Sequence, residues 1–160
     1  MGVTGISGGG AATIWIAAAD DRVKVAVPVS GMSDLESYVS NRVINGHCDC
    51  MFLYNLHRWE WTTIAALIAP RPLLFANSDN DPIFPMDGNR RIIARLRQAY
   101  RLHGKPDLVD EYVSIGGHDY RLLICARRCS GGLTGTSRAT PARSSTPPTR
   151  RSPAARSLPG

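Results

Sequence analysis

Apolar positions along this chain come in short blocks separated by polar turns, and the period changes from block to block. Residues 11–20, AATIWIAAAD, are apolar on every side, as a helix buried against a sheet would be. Val23 to Gly31, VKVAVPVSG, is β-branched and compact and predicts a buried strand ending in a turn. Residues 32–61 lose the pattern and read as an excursion of loop and short helix. TTIAALIA, 62–69, then makes a short helix stopped by Pro70, and Pro72 to Ala76 supplies a second strand followed by the polar turn SDNDP.

From Met86 to His103 the residues Ile92, Ile93, Leu96, Ala99 and Tyr100 recur at helical spacing with Arg on the other face, and Gly104 is the stop. Glu111 to Ile115, in EYVSIGGH, is a third strand, and Asp119 to Arg127 can begin a last helix. Helices alternating with short apolar strands imply an α/β fold built on a parallel sheet.

Charge divides the chain. Its formal net charge of +6 is uneven, because residues 1–120 sum to −2 and residues 121–160 carry 8 Arg and no acid. From Cys129 onward Ser, Thr, Pro, Gly, Ala and Arg dominate, with two Leu and no aromatic residue. Such a stretch cannot bury enough apolar surface to offset its ordering entropy, so the expected organisation is a domain at 1–124 and a disordered basic tail at 125–160. The abrupt change of composition near Arg121 to Cys129 also fits a translational accident. Arg scattered among Pro without interleaved aromatics makes a poor nucleic-acid arm, so no nucleic-acid partner is expected. No run approaches the roughly 20 apolar residues of a membrane span, and no targeting signal precedes the first glycines.

The chemistry gathers at three turns. Gly5-Ile6-Ser7-Gly8-Gly9 matches G-x-S-x-G, the sharp strand-to-helix turn that exposes a nucleophilic serine, with glycines where strand and helix come too close for side chains. A phosphate loop would need a following Lys, which is absent. An activated serine requires a base and a carboxylate to orient it, in the chain order Ser, acid, His. Asp81 lies in the turn after the Pro72 strand and His118 just after the Glu111 strand. Both fall at carboxyl ends of strands, where open α/β sheets place their sites.

GVTGISGGGAAT, ALIAPRPLLFANSDNDPIFP and IGGHDY together resemble the C-terminal half of an α/β-hydrolase, in particular the acetyl xylan esterase and dienelactone-hydrolase-like serine esterases. The resemblance covers about residues 2–121. It implies a partial α/β-hydrolase fold with Ser7 as nucleophile, Asp81 as triad acid and His118 as base. The backbone N–H of Gly8 would be one oxyanion donor, and no metal or organic cofactor would be needed. Asp79 is the rival acid, but Asp81 is the one placed immediately ahead of PIFP. In that family the elbow follows a fifth strand, whereas here only Gly2 to Thr4 precede it, so the expectation is a fragment of weak or no activity. The elbow strand would then be an exposed, aggregation-prone edge.

His47, Cys48, Asp49 and Cys50 are potential metal ligands, as are Cys125 and Cys129, one helical turn apart. C-x-C is tighter than the usual ligand spacing, so buried or substrate-loop roles are expected ahead of a disulfide and of a metal site. His57 and His103 are expected at the surface, the latter at a helix end where a cation suits the macrodipole. Tyr54, Trp59 and Trp61 could line an acyl or sugar pocket, although packing is the commoner use of large aromatics.

Three function classes follow. The first is a serine esterase acting on acetyl or short acyl esters of carbohydrates. The second is a serine peptidase of the prolyl-oligopeptidase type, and the third a non-catalytic remnant.

Overall fold

The computed structural model describes residues 1–47 and 55–119. The expectations for Cys48, Asp49, Cys50, Tyr54, Cys125, Cys129, the helix beginning at Asp119 and the basic tail concern segments outside the described residues.

Four strands, β1 (Gly2–Ile6), β2 (Val25–Val29), β3 (Leu73–Ser78) and β4 (Val109–Ser114), form a parallel sheet in the order β1-β2-β3-β4. The register aligns Ile6 with Val29, Val29 with Ala76 and Ala76 with Tyr112, so all four strands end along one edge. This is the expected α/β architecture. The elbow strand runs into the motif itself, because Gly5 and Ile6 also pair with β2.

Helices α1 (Gly8–Ala19), α2 (Leu35–Ser40), α3 (Trp61–Ala66) and α4 (Met86–Leu102) connect the strands. Alternation of side chains along a strand gives the sheet two apolar faces. On one face Ala26, Leu73 and Phe75 pack with Ile14 of α1, Ile64 of α3 and Ile92 and Leu96 of α4; Val27, Val29, Leu74 and Ala76 line the other. Helix α4 follows its pattern, with Ile92, Ile93, Leu96 and Tyr100 buried and Arg90, Arg95 and Arg101 exposed. Helix α1 differs from the expectation of burial all round: Ile14 and Ala17 are buried, whereas Trp15 and Ile16 are exposed. A helix lying on a sheet under a single layer buries one stripe, and the small residues on α1 let its backbone sit close to the strands without enclosing its outer face.

Arg71 ties these layers together. Its guanidinium donates to the carbonyl oxygens of Ala17 (2.7 Å) and Asp20 (2.9 Å) at the C-terminus of α1, to Val23 (2.9 Å) before β2, and to Ile68 (3.1 Å) after α3. The last turns of two helices leave unpaired carbonyls, and one planar cation with several donors satisfies both. Its own carbonyl accepts from the buried Tyr100 hydroxyl of α4, whose pKa burial pushes well up. The APRPLL segment thus fixes α1, and with it the serine turn, relative to the rest of the sheet.

A second polar junction holds α2 to α4. The buried carboxylate of Asp34 caps α2 through the Ser37 N–H (2.9 Å) and takes two donors from the Arg91 guanidinium. Arg91 also reaches Asp87 (3.1 Å), whose other oxygen accepts from the Ser37 hydroxyl (2.8 Å). Burial would raise the Asp34 pKa, but the Arg91 and Ser37 hydrogen bonds outweigh it and hold the carboxyl below its usual range.

Candidate active site

Ser7 sits between β1 and α1 with φ 57° and ψ −122°, in the left-handed half of backbone space that non-glycine residues avoid. The turn is held open in this geometry by a hydrogen bond from its own N–H to the Val29 carbonyl (3.0 Å) and by the Ala11 N–H donating to its carbonyl (3.0 Å). Ser7 occupies the N-cap position, yet its side chain makes no capping hydrogen bond. The hydroxyl is therefore not committed to the helix. Gly8 begins α1, so its N–H belongs to the first turn, whose donors have no partners within the helix.

The glycine requirement is real but is distributed differently from the motif. A Cβ on Gly5 would lie 2.5 Å from the Gly9 carbonyl oxygen, as expected, whereas one on Gly9 would meet nothing within 4 Å. The second close approach falls one residue later. A Cβ on Gly10 would be 2.7 Å from the Val29 carbonyl oxygen, and one on Gly31 would be 2.4 Å from the Gly10 carbonyl carbon. Because α1 crosses the end of β2 and not only its own strand, Gly10 is the glycine that the crossing needs.

Asp81 follows β3 and is buried. One carboxylate oxygen accepts the backbone N–H groups of Ile83 (3.0 Å) and Phe84 (3.1 Å), an Asx-type turn that fixes the carboxylate plane. The other oxygen lies 2.8 Å from Nδ1 of His118, whose side chain is 26% exposed. Asp79 is committed elsewhere: its carboxylate accepts from the Gly116 N–H (2.9 Å), its N–H donates to Ser114, and the Asn80 N–H donates to Gly116 (3.0 Å). These bonds, with the Ser78 hydroxyl donating to the Gly117 carbonyl (2.8 Å), strap the histidine loop to the end of β3.

The fold therefore brings Asp81 and His118 into direct contact and sets Ser7 on the same sheet edge. Among the described residues no hydrogen bond joins Ser7 to His118. β1 and β4 are three strand spacings apart, ~14 Å, so the loop has to lean back along the edge to approach the serine.

One neighbour escaped the sequence reading. Ser30, one residue past β2, is buried with φ 40°, and its hydroxyl has no partner among the described residues. Only the VSG ending of its strand pattern marks that spot. His47, for which a buried or substrate-loop role was expected in place of metal ligation, packs edge-on against Phe84 (ring centroids 4.7 Å) and Tyr38 (4.5 Å). Burial lowers its pKa, against the raising effect of a hydrogen bond with the Ile83 backbone and the charge of Asp81. Among the described residues no cluster of three or more His, Cys, Asp and Glu could hold a metal ion.

The aromatic residues divide. Trp61 is fully buried and meets Trp15 in an edge-on contact (5.8 Å), whereas Trp59 is exposed and stacks on His57 (5.4 Å). Trp59 also lines a groove of about 340 Å³ with Trp15 and Leu67. Trp15 lies eight residues along α1 from Ser7, roughly 12 Å at the helical rise, so that groove is remote from the serine turn. His103 is at the C-terminal cap of α4, where expected.

The sequence profile of the prolyl oligopeptidase family matches residues 1–118. YtaP of Bacillus subtilis (strain 168), a protein named for an inferred hydrolase activity, is 30% identical over 119 residues, which are 74% of this chain and 40% of that protein. The fold resembles a carbohydrate esterase family 15 glucuronoyl esterase from Caldicellulosiruptor kristjansonii, with TM-score 0.65 and 21% identity over 84% of this chain and 43% of that one. It also resembles the acylaminoacyl peptidase of Pyrococcus horikoshii, with TM-score 0.58 and 21% identity over 87% of this chain and 25% of that one. The chain thus spans less than half the length of these relatives. The matches fall within the α/β-hydrolase superfamily, as the elbow and acid-turn motifs implied, and within it the chain belongs to the prolyl oligopeptidase family.

Proposed function

We propose that Ser7, His118 and Asp81 form the charge system of a serine hydrolase that cleaves carboxylic esters through an acyl-enzyme. The observation that carries this reading is the 2.8 Å contact between His118 Nδ1 and the buried Asp81 carboxylate, on the sheet edge where Ser7 is held in a strained turn. A carboxylate at Nδ1 keeps the proton on that nitrogen and leaves Nε2 as the base. In the proposed mechanism Nε2 takes the Ser7 hydroxyl proton as Oγ attacks the ester carbonyl. The resulting oxyanion accepts the Gly8 N–H, and His118 returns the proton to the departing alkoxide. Water, deprotonated by the same nitrogen, then attacks the acyl-Ser7 ester and releases the acid. No cofactor enters this scheme. The substrate class we assign is acetyl or short acyl esters of carbohydrates, on the strength of the motifs quoted above. The esterase folds that the chain resembles are compatible with it.

A covalent probe tests the site without requiring turnover. Incubated with a fluorophosphonate, the folded chain is expected to be modified at Ser7, as mapped by mass spectrometry, and the label is expected to vanish in Ser7→Ala and His118→Ala. A folded sample that takes no label overturns the reading. Membership in the prolyl oligopeptidase family favours a second one, peptide hydrolysis by the same three residues. Comparing p-nitrophenyl acetate with a peptidyl anilide separates the two, since an oxyester specialist turns over only the first.

A further inference from the structure

We infer that Phe84 is a positioning residue that fixes the plane of the His118 imidazole. The inference rests on the serine-hydrolase reading given above and specifies how that base is held. A single hydrogen bond, Nδ1 to Asp81, fixes one point of the ring and leaves it free to rotate about that contact, carrying Nε2 in an arc. Phe84 removes that freedom. Its ring lies against the imidazole with centroids 5.5 Å apart and planes inclined by 23°.

Phe84 belongs to the same turn as the carboxylate, since its N–H donates to Asp81 Oδ1 (3.1 Å), so one short segment fixes both the point and the plane. The ring is buried and cannot swing away. His47 meets it edge-on at 4.7 Å and Tyr38 at 6.4 Å, and His47 is itself bound to the Ile83 backbone. The histidine ahead of the turn thus buttresses the phenyl ring, which in turn holds the catalytic imidazole.

The test combines a spectroscopic and a chemical readout on Phe84→Leu, which keeps the apolar bulk but removes the ring, and Phe84→Tyr, which keeps the ring. The His118 ring protons, assigned by the signals missing in His118→Ala, sit in the ring current of Phe84. They are expected to move downfield in Phe84→Leu and to stay in place in Phe84→Tyr. Fluorophosphonate labelling of Ser7 is expected to slow about tenfold in the Leu variant and to recover in the Tyr variant, since a misaligned base is costly. Unchanged His118 resonances in a folded Phe84→Leu protein, or equal losses in both variants, overturn the inference. If the unaltered chain takes no label, the hydrolase reading fails by itself, and the ring-proton shifts still decide whether Phe84 holds the imidazole.

Discussion

Gly10 and Gly31 meet backbone to backbone where α1 crosses the end of β2, so closely that a Cβ on Gly31 would lie 2.4 Å from the Gly10 carbonyl carbon. Neither partner is a flexible side chain that could move aside. Gly10→Ala and Gly31→Ala are each expected to destabilise the fold by roughly 1–3 kcal/mol through overpacking. Gly9→Ala, at the motif's closing glycine, is expected to be neutral or up to about 1 kcal/mol stabilising, because its Cβ points into open space and alanine restricts the unfolded chain. Urea unfolding of the three variants checks the ranking; a Gly9→Ala loss equal to that of Gly10→Ala would sink it.

The Arg71 clasp makes the next prediction. Arg71→Met keeps most of the aliphatic stem but removes the donors to Ala17, Asp20, Val23 and Ile68. With the carbonyls of two helix ends losing a charged partner, the expected loss is about 2 kcal/mol, and Arg71→Lys should recover only part of it because one ammonium cannot span all of these acceptors. Thermal unfolding reads this directly. Full rescue by Lys would show that charge, not the planar fork, is what matters at this junction.

Which parts of this molecule were legible in the sequence follows from how local their causes are. The strands, α4 and the elbow rest on period and on turn chemistry, which a few neighbouring residues carry, and the sequence places them within a few positions of where they lie. The Asp81 turn was readable for the same reason, since Asp, Pro and the following apolar pair are contiguous. The role of Arg71 was not, because its acceptors come from residues up to 54 positions away and a carbonyl has no sequence signature. His47 and Phe84 illustrate the same limit. The sequence groups His47 with its neighbouring cysteines and gives Phe84 no partner, and only the return of the chain after β3 places Phe84 between His118, stacked on it, and His47, edge-on to it. The shift of the glycine requirement from Gly9 to Gly10 arises likewise from the neighbouring strand β2, which the G-x-S-x-G pattern does not describe.

Acid should unfold the protein through the α2–α4 junction. Burial alone would raise the Asp34 pKa, but Arg91 and the Ser37 N–H lower it in the folded state, and Asp87 is lowered by the Ser37, Gly88 and Arg91 hydrogen bonds against its own partial desolvation. A depressed folded-state pKa means stability that is fully present above the ordinary aspartate value, about 3.9, and is lost as pH falls through the folded value. The unfolding free energy is therefore expected to be flat from pH 7 to about 5 as far as these groups contribute, and to drop below about 4. Asp34→Asn should cost about 1–2 kcal/mol at pH 7, a modest figure because the Arg91 side chain is one-third exposed and screened, and should make the acid drop shallower. Urea midpoints between pH 7 and 3 measure both, and parallel curves for the two proteins would exclude Asp34 as a contributor.

Ser7 itself separates stability from reactivity. Its φ of 57° and ψ of −122° place a side-chain-bearing residue where glycine is at ease, a strain worth on the order of 1 kcal/mol or more. Nothing in the helix compensates for it, because the hydroxyl makes no capping bond. Ser7→Gly should then raise the unfolding free energy by about 1 kcal/mol while abolishing fluorophosphonate labelling, whereas Ser7→Ala loses the label and keeps the strain. A gain confined to Ser7→Gly identifies the backbone as the origin, because both variants lack the hydroxyl. Equal stabilities for the unaltered chain, Ser7→Ala and Ser7→Gly would mean that the turn is relaxed, and the geometry would then lose its force as a sign of a residue held in place for chemistry.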